Sequence, residues 1–181
     1  GHCHGLAAGA GMKFIDLETY PRRRILEAFA TCEVPCLSVT NLVDITGVKT
    51  VCEQAGCSFF VGMTFLISKA VNRVPELRHR LIEGKLVEFE RVAPGYTVLL
   101  KDRPFSFCAS RHYEDFPSYR DHAEICIDLV KQCPDLGTGE KHHMFFITNL
   151  PWFSFTAITH PYQKRYASVP VISLGQYVAQ G

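Results

Sequence analysis

The chain has 181 residues, 47% of them hydrophobic and 20% charged, and a formal net charge of +1. That length and balance read as one soluble globular domain with room for a sizeable core, and so small a charge gives no electrostatic reason to expect nucleic acid or an anionic membrane as a partner. No apolar run approaches the roughly 20 residues that span a bilayer, since the longest, 59–71, is interrupted by Gly62, Thr64, Ser68 and Lys69.

Residues 1–11, GHCHGLAAGAG, lack the basic region of a secretory signal and are taken as a leader or tag ahead of Met12. Residues 13–19 read as a short strand or extended entry. Pro21 fits the first turn of a helix over 22–31 that gathers Ile25, Leu26 and Phe29 on one face. The β-branched, alternating run CLSVTNLVDIT, 36–46, predicts a strand. A helix follows over 47–55 and Gly56 ends it. Residues 59–73 predict the longest helix, apolar nearly all round and therefore buried, with Pro75 as its stop and a helical turn over 76–80. LIEGKLVEFE, 81–90, predicts a hairpin about Glu83 and Gly84. Strands are expected over 95–100 and 105–107, an amphipathic helix over 117–132, a loop over 134–139, and three more strands over 144–148, 154–158 and 171–177. Helices early, strands late and no internal repeat predict an α/β (α+β) two-layer sandwich built on a mixed β-sheet.

The eight cysteines do not form a disulfide framework, and no C-x-x-C pair suggests a zinc site. They read as reduced, small, buried side chains of a cytoplasmic protein, with no metal expected. His2, Cys3 and His4 could at most capture nickel or copper adventitiously. His79, His112, His122, His142, His143 and His160 read as surface or loop side chains, and Arg22, Arg23 and Arg24 as a solvated turn or local ion-pair partners.

One resemblance covers nearly the whole chain. FFITNLPWFSF at 145–155 and PVISLGQY at 170–177 resemble the late core of the chloramphenicol acetyltransferase family. YPRRR at 20–24, VDIT at 43–46 and VPELRHRLIEGKLVEFERVAPGYTV at 74–98 are further landmarks in family order. A more distant likeness is to the acyltransferase core of 2-oxo acid dehydrogenase complexes, but the LPWFSF stretch sides with the antibiotic-acetylating branch.

The resemblance implies acetyl transfer from acetyl-CoA, a co-substrate, to a hydroxyl of chloramphenicol or a similar small acceptor. It also implies a homotrimer with its active sites between subunits. A histidine would act as general base, and a placed donor would meet the charge developing on the thioester oxygen. Carried over by position, Thr148 stands where the family has its oxyanion-donating serine, four residues before Trp152, and Ser173 where a threonine helps hold the intermediate. Arg22 matches the arginine that braces the histidine loop, with Arg23 as a competing assignment one place along. Phe29, Cys36 and Leu37 fall on acceptor-pocket positions, and Tyr96 is a further candidate. The family's H-H-x-x-x-D-G run does not occur in these 181 residues. Residues 12–181 are accordingly expected to be an acetyltransferase domain without the family's last strand, histidine loop and final helix. His4-Gly5-Leu6-Ala7-Ala8-Gly9 has a similar spacing, with Ala8 in place of the aspartate, but at the wrong end of the chain. The rival expectation is a non-catalytic truncated relative that binds CoA or small ligands.

Overall fold

A computed structural model describes residues 11–102 and 104–178. The readings placed on His2, Cys3, His4 and Ala8 lie outside the described residues. β1 (Met12–Phe14) leads to α1 (Arg23–Ala30), α2 (Thr46–Gln54) and α3 (Phe59–Arg73). A 3-10 turn over Pro75–Arg78 then opens β2 (His79–Ile82), β3 (Lys85–Phe89), β4 (Ala93–Val98) and β5 (Ser106–Ala109). α4 (Phe116–Gln132), β6 (Met144–Asn149), a 3-10 turn at Lys164–Tyr166 and β7 (Val171–Leu174) complete the order. The strands form two sheets, β1-β3-β2 and β5-β4-β6-β7. The first is antiparallel throughout. In the second, β5 runs antiparallel to β4 while β4, β6 and β7 are parallel. The expected mixed α/β architecture is thus present, with its strands divided between two sheets.

Local chemistry explains where the well-matched elements start and turn. Ser58 caps α3 by accepting from Val61 N–H at 3.2 Å, and Asp115 caps α4 by accepting from Ser118 N–H at 2.9 Å. Glu83 and Gly84 have φ of 49° and 77°, the positive pair that a two-residue type I′ hairpin requires. The core lies where α3 and α4 cover the larger sheet: Val71, Val92, Tyr96, Cys108, Phe145 and Ile147 are buried together, along with Val87 and Phe89 of the smaller sheet. α3 is not apolar all round. Thr64 and Ser68 on its inner face are 0% exposed while Leu66 is 44% exposed.

The inner polar groups are all engaged. Thr64 donates to Val61 C=O at 2.9 Å, and Ser68 Oγ lies 2.9 Å from His112 Nδ1. Asn72 accepts from Val92 N–H at 2.8 Å and donates to Val92 C=O at 2.9 Å. One side-chain amide thereby pairs with a backbone peptide as a strand neighbour would.

Arg80 joins the two sheets. It sits on β2 with 0% exposure and donates to His142 C=O at 2.8 Å and Met144 C=O at 2.7 Å, at the entry to β6. Its Nη1 group donates to Leu77 C=O at 2.8 Å and His79 C=O at 2.7 Å. Burial lowers its guanidinium to about 10, still charged at neutral pH, with Glu140 opposing the shift. Next to it, the Glu140 carboxylate accepts from His142 N–H at 2.7 Å and also contacts the His142 and His143 rings. Burial pushes the Glu140 carboxyl up, but these hydrogen bonds outweigh it and hold the group at about 2.

Two expected strands are not strands. Residues 36–45 are irregular, with no ladder partner among the described residues, and their apolar side chains face outward: Leu37 is 88% and Leu42 90% exposed. Alternating β-branched residues build a strand only where a neighbour supplies the other half of the ladder. Residues 154–158 are likewise irregular. The chain there crosses beside β7 and its continuation, with Leu150 N–H donating to Leu174 C=O at 2.8 Å and Gln176 N–H to Phe153 C=O at 3.1 Å. The cysteines also differ from expectation: Cys52 and Cys108 are buried, whereas Cys32, Cys36 and Cys133 are exposed, and no disulfide joins any described cysteine. No single described helix is long and apolar enough to cross a membrane.

Two measurements test this account. At Gly62 an added Cβ would overlap Cys52 Sγ and touch Val48 Cγ1 at 3.6 Å. Gly62→Ala should therefore destabilise the fold by about 1–3 kcal/mol in urea denaturation, and Cys52→Ala in the same chain should return part of the loss. Glu140 has a folded value below the ordinary 4.5. Its contribution is therefore present above that unfolded value and is lost as pH falls through about 2. Wild type should be more stable than Glu140→Gln at neutral pH, with the difference shrinking steadily in acid.

Candidate active site

Strand parity decides which side chains share a face. Phe145 and Ile147 of β6 are 0% and 1% exposed and point into the helix-covered core. Alternation therefore turns Thr148 to the opposite face. In the parallel β6–β7 ladder Ile147 pairs with Ile172 and Thr148 with Ser173. Ile172 and Leu174 pack on the core, so Ser173 also faces away from it. Two hydroxyl side chains, both half-buried, thus stand side by side at the ends of adjacent strands.

A third group joins them. His160, on the irregular stretch between β6 and β7, shares a hydrogen bond of 2.6 Å from its Nε2 with Ser173 Oγ. No spacing rule links a loop histidine to a strand serine thirteen residues on, so the sequence reading of His160 as a surface or loop side chain missed this contact. Trp152 and Phe153, on the turn after β6, are 61% and 51% exposed.

The remaining expected site residues are placed elsewhere. Tyr96 pairs in register with Ile147 and so lies on the core face, 2% exposed. Its ring meets Phe60 edge-on at 5.1 Å and its hydroxyl lies 2.5 Å from Ser110 Oγ. Burial holds its phenol well above the usual tyrosine range. Within the chain β4 thus turns Tyr96 into the core and away from Thr148. Arg22 forms an exposed ion pair with Glu76 at 2.9 Å, the kind of pair that contributes little to stability. Phe29 is 54% exposed on α1, a helix that buries none of its residues, and Cys36 and Leu37 are exposed on the segment after it.

Two other constellations have suggestive chemistry. Ser68, His112 and Glu114 form a serine–histidine–carboxylate series, with 2.9 Å between Ser68 Oγ and His112 Nδ1 and 3.2 Å between His112 Nε2 and Glu114 Oε1. Ser68 is 0% exposed, so no substrate reaches its hydroxyl and the series ties α3 to the segment before α4. Burial lowers His112, with Glu114 pulling the other way. An open cleft of about 840 Å³ lies between the β2–β3 hairpin and the Lys164–Tyr166 turn, lined by Leu81, Glu140, His143, Lys164 and Arg165 among others. None of the expected site residues reaches it.

Chemically, the Thr148–Ser173 pair offers two hydroxyl donors on the face opposite the helices, next to an aromatic turn. That is the equipment for stabilising an oxyanion. A family model described as chloramphenicol acetyltransferase matches residues 11–181. The chain is 29% identical over 181 residues to a chloramphenicol acetyltransferase of Proteus mirabilis, covering 94% of this chain and 80% of that protein. It is 32% identical over 148 residues to chloramphenicol acetyltransferase 2 of Escherichia coli, covering 78% and 68% respectively. In fold it superposes on a solved chloramphenicol acetyltransferase with a TM-score of 0.87 at 23% identity, over 94% of this chain and 84% of that one. Since the family model spans all but the first ten residues, this chain belongs to the chloramphenicol acetyltransferase family of acyltransferases.

Proposed function

We propose that the chain carries part of the active site of an acetyl-CoA-dependent O-acetyltransferase acting on a hydroxyl of chloramphenicol or a similar small, largely apolar alcohol. The observation that supports this most directly is the pairing of Thr148 with Ser173 across β6 and β7. In this reading the acceptor oxygen attacks the thioester carbonyl of acetyl-CoA. The C–O bond forms as negative charge moves onto the carbonyl oxygen, and collapse expels CoA thiolate. Thr148 donates to that oxygen, and Ser173 holds the neighbouring hydrogen-bond position. A histidine takes the proton of the acceptor hydroxyl; no H-x-x-x-D-G run lies in these 181 residues, and none of the six described histidines is assigned the role.

The active form is taken to be a homotrimer in the cytoplasm. The outward apolar side chains of α1 and the following segment, including Ile25, Phe29, Leu37 and Leu42, favour burial against another copy. Phe29, Cys36 and Leu37 would then contribute to an acceptor pocket closed between subunits. Arg22 would brace the histidine loop by exchanging Glu76 for a partner there.

The test is an acetyl-CoA assay that follows release of free thiol with chloramphenicol as acceptor. Thr148→Ala should lower kcat about 100-fold with little change in KM, as expected for a donor engaged in the transition state. Thr148→Ser should keep most of the rate, since serine retains the hydroxyl and loses only the stiffening methyl. A protein that binds CoA but transfers no acetyl group to any hydroxyl acceptor would favour a non-catalytic relative instead.

A further inference from the structure

A serine hydroxyl has one proton and two lone pairs and rotates to suit its neighbours. At Ser173 that freedom is restricted. His160 Nε2 lies 2.6 Å from Ser173 Oγ, just below the usual range of roughly 2.7–3.2 Å for nitrogen–oxygen hydrogen bonds. The imidazole is half-buried on the irregular stretch that runs back across the end of the larger sheet. The direction of this bond decides what Ser173 can offer its surroundings. If Nε2 accepts, the serine proton is spent on the ring and only lone pairs remain beside Thr148. If Nε2–H donates, the lone pair is used and the proton stays free.

A site in which negative charge develops beside Thr148 needs the second arrangement. We infer that His160 is a positioning residue that donates from Nε2–H to Ser173 Oγ, directing the serine proton toward the reacting groups next to Thr148. The inference rests on the acetyl-transfer reading for the direction of the bond and for its catalytic consequence, whereas the contact itself belongs to the structure and its direction can be measured without turnover. His160 does not touch the substrate in this account. It acts by keeping one hydroxyl in a single orientation, and it adds a polar group to a site otherwise made of hydroxyls and aromatic rings.

The experiment uses the protein expressed from its complete reading frame, with acetyl-CoA and chloramphenicol as substrates. His160→Leu should lower kcat about tenfold while KM changes less than about twofold. His160→Gln, whose side-chain N–H can still donate, should recover most of the loss. In a Ser173→Ala background, His160→Leu should add no further loss, because the group it orients is already gone. Multiplicative losses in the double variant, or a His160→Leu effect confined to KM, would overturn the proposal. Nitrogen-15 spectra of the imidazole supply a readout independent of turnover. Nε2 should carry the proton in wild type, and its resonance should move in Ser173→Ala. An unprotonated Nε2 would overturn the proposal even in an active enzyme. Absence of acetyl transfer with a protonated Nε2 that responds to Ser173→Ala would instead defeat the acetyltransferase reading and leave the assigned hydrogen bond supported.

Discussion

The arrangement depends on one buried guanidinium. Arg80 leaves the smaller sheet and ends on carbonyls at the entry to β6, so the two sheets are joined through a charge rather than through packing alone. A buried cation is costly unless each of its donors is used. Here the acceptors are backbone carbonyls on both sides of the joint, and moving either sheet by one residue would leave several of them unmatched. β6 is fixed at its first residues by Arg80, along its length by the parallel ladders to β4 and β7, and beneath by the core under Phe145 and Ile147. Its last residues inherit that precision. Thr148 is placed by interactions that begin at the opposite end of its own strand.

Polar groups also organise the helix layer. Ser68, Thr64 and Asn72 occupy inner positions of α3 where apolar side chains would have given a more uniform core. Thr64 bonds within the helix, while Ser68 and Asn72 have partners outside it and together fix the rotation of the helix about its axis. A fully apolar α3 could slide and still be covered; one carrying Ser68 against His112 and Asn72 against Val92 has a single seat.

Local signals in the sequence were sufficient where the physics is local. The cap at Ser58, the stop at Pro75 and the Glu83–Gly84 turn are each set by a few neighbouring residues, and the helix and hairpin boundaries follow them closely. Residues 36–46 and 154–158 carry strand-like composition, yet a ladder is a contract between two segments, and neither stretch has its second party among the described residues. The same limit governs the site. Thr148 and Ser173 were identified through family landmarks, and their adjacency is a matter of register. The side of the sheet that Tyr96 takes depends on pairing with Ile147, which β4 alone does not reveal. His160 escaped notice for a related reason, since its partner is chosen by the path of an irregular segment rather than by any repeating pattern.

The Asn72–Val92 pairing has a consequence for how the fold opens. Val92 N–H gives its proton to a side chain on α3, not to a neighbouring strand. That amide can exchange with solvent only when the helix lifts from the sheet edge or the asparagine lets go. The hydrogen-exchange rate at a single backbone position therefore gauges how often the helical layer separates from the strands, distinct from the fraying of the sheet itself.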